Sequence, residues 1–190
     1  MTSPAAIRGQ EVRQRLLAAA AELIPERGWS AVSTRILADR AGVTPSVVHY
    51  HFPSMAALLR EAVVGLMRQM VAGFDGVLDG ARTAADAVEI LLGSVDQYSG
   101  ADPLSLLFIE AYLAATRDEL LREQLHGIVD DFRQRVGRRF AEHGVPDATA
   151  AAAVFVASID GLLLHRGLGA RPDMRAVIRV VRRIVTGEGS

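Results

Sequence analysis

The stretch Ala38-Asp39-Arg40-Ala41-Gly42-Val43-Thr44-Pro45-Ser46-Val47-Val48-His49-Tyr50 decides how this chain is read. Ala38, Gly42 and Val48 stand at spacings of four and ten, which is what a helix-turn-helix needs. Its first helix requires a small residue where the second crosses it, its turn requires a left-handed backbone that glycine supplies, and its second helix requires an apolar residue packing back. Thr44 suits the N-cap of the second helix and Pro45 its first position, where a missing N–H costs nothing. In major-groove docking the N-terminal residues of the second helix meet base edges, here Thr44, Pro45, Ser46, Val47 and Tyr50.

Outward from this core, helix formers at i, i+3 and i+4 spacing dominate, and the alternation of strands is missing. The expected fold is all-α with about nine helices. A first helix from about Arg8 to Arg27 ends at Gly28; segments at Ser33–Arg40 and Pro45–Tyr50 follow, then a long helix from Ser54 to Leu78. Thr83 with Asp86 and Thr116 with Glu119 read as capping boxes. Asp102-Pro103, Asp147 and Asp173 read as further N-caps. The change from short to long helices near Pro53 predicts a DNA-binding domain over 1–53 and a ligand-binding and dimerisation domain over 54–190.

The charge balance of 21 Arg and no Lys against 22 acids gives the 190-residue chain a net charge of −1. Residues 1–54 nevertheless carry six Arg against four acids, so a polyanion partner is expected at the front. There is no cysteine, which removes thiol catalysis, disulfides and thiolate metal sites and suits a reducing compartment such as the cytoplasm. Met1–Gln10 lacks the apolar core of a secretory signal. The apolar run Ala148–Ile159 is shorter than a membrane span, so it is expected to be a buried helix. Without lysine no Gly-x4-Gly-Lys phosphate loop exists, and no glycine-flanked serine elbow is present. Neither an enzyme nor a bound metal or cofactor is therefore expected; His49 and His51, two apart, have no acidic partner nearby.

Beyond spacing, the segments Leu16–Gly28, Ser33–Ala38, Ala41–Thr44 and His49–Ser54 resemble the TetR family of bacterial one-component regulators over about residues 8–60. The resemblance implies that Ser33, Arg35, Thr44, Ser46, His49, Tyr50 and His51 meet DNA. It also exposes two departures. His49 stands where the family usually has a phosphate-contacting Tyr, and Met55 where it commonly has Lys at the start of the fourth helix. Losing that cation predicts weaker and less salt-steep binding than the family norm.

The implied function is a repressor that binds a palindromic operator as a homodimer and is released by a small, mainly hydrophobic ligand. A helical ligand-binding or adaptor protein with weak or lost DNA binding is the alternative that Met55 and the modest front charge motivate. One short recognition helix reads few bases, so a second half-site and a two-fold dimer are expected. The expected seam is Ala148, Ala151, Ala152, Phe155 and Ile159 with Val177, Val180, Val181 and Ile184. An apolar pocket is expected from Met67, Met70 and Phe74, which share a helix face, with Leu91, Val95, Tyr98, Phe108, Tyr112, Phe132, Phe155 and Leu163. Asp160, following an apolar run, is expected to be partly buried and to orient the ligand with Tyr98 and Tyr112. Glu110, between apolar neighbours, is expected to serve a structural role.

Overall fold

The fold is that of a computed structural model, which describes residues 3–187. Among these residues there are nine α-helices and no strand: α1 (Pro4–Arg27), α2 (Thr34–Ala41), α3 (Pro45–His51), α4 (Met55–Gly80), α5 (Ala84–Val95), α6 (Pro103–Ala115), α7 (Glu119–Glu142), α8 (Ala148–Gly167) and α9 (Met174–Thr186). A single 3-10 turn, Trp29–Ala31, joins α1 to α2. The chain forms two compact units. The first holds the residues up to Leu66 and Leu106–Arg122; the second holds Met67–Ser105 and the residues from Glu123 onward. The first unit thus takes in more than the expected 1–53, because the start of α4 and most of α6 pack with the short helices.

Local capping explains most helix starts. Thr83 accepts the Asp86 N–H at 3.0 Å, and Asp173 accepts that of Arg175 at 3.0 Å. α1 starts at Pro4 rather than near Arg8, because Ser3 accepts the Ala6 N–H and Pro4 occupies the first turn. Two expected caps are corrected. Asp147, at φ +47°, makes no side-chain cap bond, so α8 begins without one. Thr116 does not open α7: its hydroxyl donates back to Leu113 O at 2.7 Å. Asp118 takes that role, accepting the Leu121 N–H at 3.0 Å on Oδ1 while Oδ2 receives Arg60 at 2.8 Å.

Burial raises the Asp118 carboxyl, but the Leu121 amide and the Arg60 guanidinium outweigh it and hold the group below the usual carboxylate range. Its stabilisation is therefore complete above the unfolded carboxyl value of about 3.9 and is lost as pH falls through the lower folded value. Asp118→Asn is expected to be destabilising at neutral pH and to flatten the fall of the thermal midpoint below about pH 4. A midpoint series in acid checks this; a mutant curve parallel to the parent's would place the acid sensitivity elsewhere.

In the second unit α9 packs along α5 and α8. Arg166 of α8, 7% exposed, donates to Val95 O at 3.0 Å, to Tyr98 O at 2.8 Å and to the Asp96 carboxylate at 2.5 Å. It thereby satisfies the last carbonyl of α5, Val95 O, and one in the loop that follows, Tyr98 O. The Asp102 carboxylate folds the next loop, accepting the N–H groups of Ser99, Gly100 and Ser105 and the Ser105 hydroxyl.

α8 runs on through Leu162-Leu163-Leu164, so it is longer than the run Ala148–Ile159. With 20 residues and a mean hydropathy of 1.6, it is long and apolar enough by length and composition to cross a membrane, contrary to the reading of a short run. It is also less buried than expected. Ala152, Phe155 and Val156 face the interior, while Val154 and Leu164 are exposed. A helix that is apolar all round has a second face to cover.

Candidate nucleic-acid interface

The interface is built on the packing of α1, α2, α3 and the start of α4. Leu16, Ala20, Leu23 and Ile24 of α1 are buried, as are Leu37 and Ala38 of α2, Val48 of α3 and Phe52. Gly42 makes the turn at φ +66° and ψ +41°, and its N–H returns to Ala38 O and Asp39 O. Most other residues would strain this left-handed turn by about 1–2 kcal/mol. With Val48 buried, the rest of α3 faces away from the core. Thr44, Pro45, Ser46 and His49 are exposed, Val47 and His51 are half-buried, and Tyr50 is 85% exposed.

Thr44 has the extended backbone of an N-cap but makes no side-chain cap bond; its hydroxyl lies 2.9 Å from that of Ser46. The two hydroxyls orient each other at the start of the recognition helix, and each keeps capacity for a further bond. The Tyr50 and His51 rings meet edge to face at 5.2 Å. Ser33 caps α2 by accepting the Ile36 N–H, and Arg35 is exposed in its first turn. Met55 opens α4 as a half-buried apolar side chain, next to Ser54, whose hydroxyl accepts the Ala57 N–H at 3.1 Å.

Two of the six front arginines are committed to other tasks, which sequence reasoning missed. Arg40 is gripped by Glu22 at 3.0 Å and Glu26 at 2.6 Å, and the bond from Arg40 holds the Glu26 carboxyl below its usual range. The i, i+4 spacing of the two acids on α1 was the available signal. Arg13 pairs with Glu61 and stacks over the Phe52 ring at 4.6 Å to its centroid. Arg35 is exposed, as are Arg8, Arg15 and Arg27. Glu110 accepts the Trp29 N–H at 2.8 Å and so ties α6 to the 3-10 turn before α2.

The other expected site residues fall in different surroundings. Of the pocket residues, Met67, Leu91, Val95, Phe132 and Phe155 are buried, and Met70, Phe74, Tyr98 and Leu163 half-buried, all in the second unit. The Phe74 and Phe132 rings lie 5.8 Å apart. Phe108 is half-buried and Tyr112 is 40% exposed; both belong to the first unit. Asp160 is exposed, not partly buried, because α8 turns it away from the interior. Of the seam residues, Ala152 and Phe155 are fully buried within the subunit, Phe155 against the Phe140 ring at 5.8 Å. Val181 is buried too; Ala148, Ala151, Ile159 and Val177 are half-buried, and Val180 and Ile184 exposed. Ala152 and Phe155 thus have no exposed surface in the single subunit, and Val181 keeps 7%, unlike the exposed Val180 and Ile184.

Comparison with known proteins matches two separate stretches of the chain. Residues 16–62 match the family model described as bacterial regulatory proteins, tetR family, and residues 82–187 match the tetracyclin repressor-like C-terminal domain. The crystal structure of a protein from Streptomyces coelicolor A3(2), described as a transcriptional regulator, is 34% identical, covering 93% of this chain and 99% of that one at a TM-score of 0.76. The transcriptional regulator SrpR of Pseudomonas putida is 26% identical over 95% of this chain and 86% of its own length. The regulator FadR of Bacillus subtilis, solved with stearoyl-CoA, shares the fold at 18% identity and a TM-score of 0.72, over 93% of this chain and 99% of that one. Family models at both ends and a relative matched along nearly its whole length agree with the helix-turn-helix geometry: this chain belongs to the TetR family and is a DNA-binding transcriptional regulator, not an enzyme.

Proposed function

We propose that the chain is a cytoplasmic repressor that binds a palindromic operator as a two-fold homodimer and leaves it when a small, mainly hydrophobic molecule enters the second unit. The observation that carries this reading is α3, whose exposed Thr44, Ser46, His49 and Tyr50 stand on a glycine-fixed turn above a packed core. Such a surface suits the major groove and is too small to specify a site alone. Arg35 supplies a phosphate contact, and Ser33 and His51 are further DNA contacts in this reading.

The exposed apolar face of α8 and α9 supports the dimer. Ala150, Val154, Ala157, Leu164 and Leu168 recur at helical spacing, beside Val180 and Ile184 of α9, and all are exposed in the single subunit. A second copy covers this face, which also accounts for the hydropathy of α8 without a bilayer. The apolar interior around Met67, Leu91, Val95 and Phe132, with half-buried Met70, Phe74 and Tyr98, supports a hydrophobic effector. FadR, solved with stearoyl-CoA, is a protein of this fold bound to a molecule that carries a long acyl chain. The effector must prefer the conformer in which the two α3 helices no longer match successive grooves.

Selection of genomic fragments by purified protein, followed by binding to the best fragment across salt concentrations, tests the reading. A preferred palindrome, bound with a salt slope shallower than the family norm, is expected; uniformly weak, sequence-blind binding would leave the adaptor alternative. On the selected operator, Tyr50→Ala and Thr44→Ala are each expected to cost about 1–3 kcal/mol of binding. Arg35→Ala is expected to weaken all sequences alike and to lower the salt slope by about one per subunit, so by about two for the dimer. Unchanged binding in all three variants would remove α3 from the interface.

A further inference from the structure

The 3-10 turn Trp29–Ala31 has to be capped from outside, because its N-cap residue, Gly28, makes no side-chain cap bond. At φ +86° and ψ +151° that position is open to glycine alone, so no local side chain can take over the task. The Trp29 N–H left over is taken by Glu110 of α6, whose carboxylate accepts it at 2.8 Å from 81 positions away. A Cβ placed on Gly28 would lie 3.7 Å from a Glu110 carboxylate oxygen, so the acid rests directly on the turn. Both Trp29 and Glu110 are half-buried, and both belong to the first unit.

The turn leads straight into the helices that read DNA. None of its three residues is buried, so it has no apolar anchor of its own; Val32, which follows, is the first to reach the core. Ser33 then caps α2 by accepting the Ile36 N–H, and the Leu37 N–H returns to Ser33 O at 2.9 Å. The far end of α2 is clamped independently, Arg40 being held by Glu22 and Glu26 of α1, and Gly42 sets α3 from there. With the far end fixed, the aim of the near end, and of Ser33 and Arg35 on it, depends on the turn. By its charge alone an acid in a unit that meets a polyanion works against binding, so what Glu110 contributes has to come from position.

We propose that Glu110 is a positioning residue for DNA binding: its carboxylate caps the Trp29 turn and thereby sets the entry of α2. This rests on the DNA reading of α2 and α3 and gives a task to α6, which has no DNA contact in that reading.

The test compares Glu110→Gln, Glu110→Asp and Glu110→Ala in the full chain, by binding to the selected operator, or to a random-sequence duplex if none is preferred, and by hydrogen exchange without DNA. Glutamine keeps an acceptor at the same reach, aspartate keeps the charge but is one methylene short, and alanine has neither. Glu110→Gln is expected to bind within about two-fold of the parent, because a neutral acceptor still makes the bond. Glu110→Asp and Glu110→Ala are expected to bind more weakly by about three-fold per subunit, and so by about ten-fold for the dimer, as a loosened turn leaves each unit competent for only part of the time. In these two variants exchange is expected to rise at Trp29, Ile36 and Leu37 and to stay at the parent's level in the buried amides of α5, which a general loss of stability would raise as well. If Glu110→Ala fails to fold, the contrast between the glutamine and aspartate variants still decides. Parent-like binding by Glu110→Asp, binding by Glu110→Gln as weak as that of Glu110→Asp, or exchange raised throughout the chain overturns the proposal alone. A parent that binds no duplex overturns the DNA reading, and the proposal with it.

Discussion

Gly100→Ala is expected to lower the thermal midpoint by roughly 8–16 °C, the shift for a cost of about 4 kcal/mol in a chain of this size. Two effects add. Gly100 sits at φ +78°, in the left-handed region, where a side chain costs about 1–2 kcal/mol. A Cβ there would also lie 2.3 Å from both Gly167 N and Leu163 O, backbone atoms of α8 that cannot rotate away. Either the loop or the end of α8 must shift, and both are pinned: the Gly100 N–H by Asp102, and α8 by the Arg166 bonds to Val95 O and Tyr98 O. Gly144→Ala separates the terms, because Gly144 has φ +73° with open space around it and should lose only the strain of about 1–2 kcal/mol. Scanning calorimetry of the two variants checks the difference. Equal midpoints would mean that the close approach of Gly100 to α8 contributes nothing.

The second large effect concerns assembly. Val154→Arg and Ile184→Arg, at positions 48% and 56% exposed, are expected to leave the subunit folded and to yield a monomer at micromolar concentration in sedimentation. Operator affinity should fall with the dimer by about 100-fold or more, because the second half-site then no longer adds to the first. Ala152→Arg should behave differently. Ala152 is fully buried, and a Cβ placed on Gly137 would lie 3.6 Å from its methyl group, so a guanidinium at 152 has no room and should unfold the subunit. Dimeric Val154→Arg and Ile184→Arg proteins would remove this face from the seam.

The contrast between Ala152 and Val154 shows where sequence reading runs out. α8 reads Ala-Thr-Ala-Ala-Ala-Ala-Val-Phe-Val-Ala-Ser-Ile over its first three turns, apolar on every side. Periodicity cannot tell which face turns inward when all faces have similar hydrophobicity. Asp160 was misplaced for the same reason, as an apolar neighbourhood in sequence does not say which way one residue points. The choice between Thr116 and Asp118 at the start of α7 is of another kind. Both residues can cap, and a partner 58 positions away, Arg60, favours Asp118.

What the sequence determined by itself was whatever depends on groups a few residues apart. The Ala38, Gly42 and Val48 spacing settles the turn, because its backbone angle, small crossing residue and packing residue are demands made within ten positions. Thr83, Asp102 and Asp173 set helix starts because a cap bond closes within three residues. Tertiary structure alone decided what depends on distant partners. Arg40 and Arg13 are withdrawn from the front charge by Glu22, Glu26 and Glu61. The exposed stripe of α8, and the bond from Trp29 to Glu110 of α6, exist only after helices far apart in sequence have packed. Side-chain burial and ion pairing across such separations follow from which helix faces meet, and that choice is made by the whole core at once.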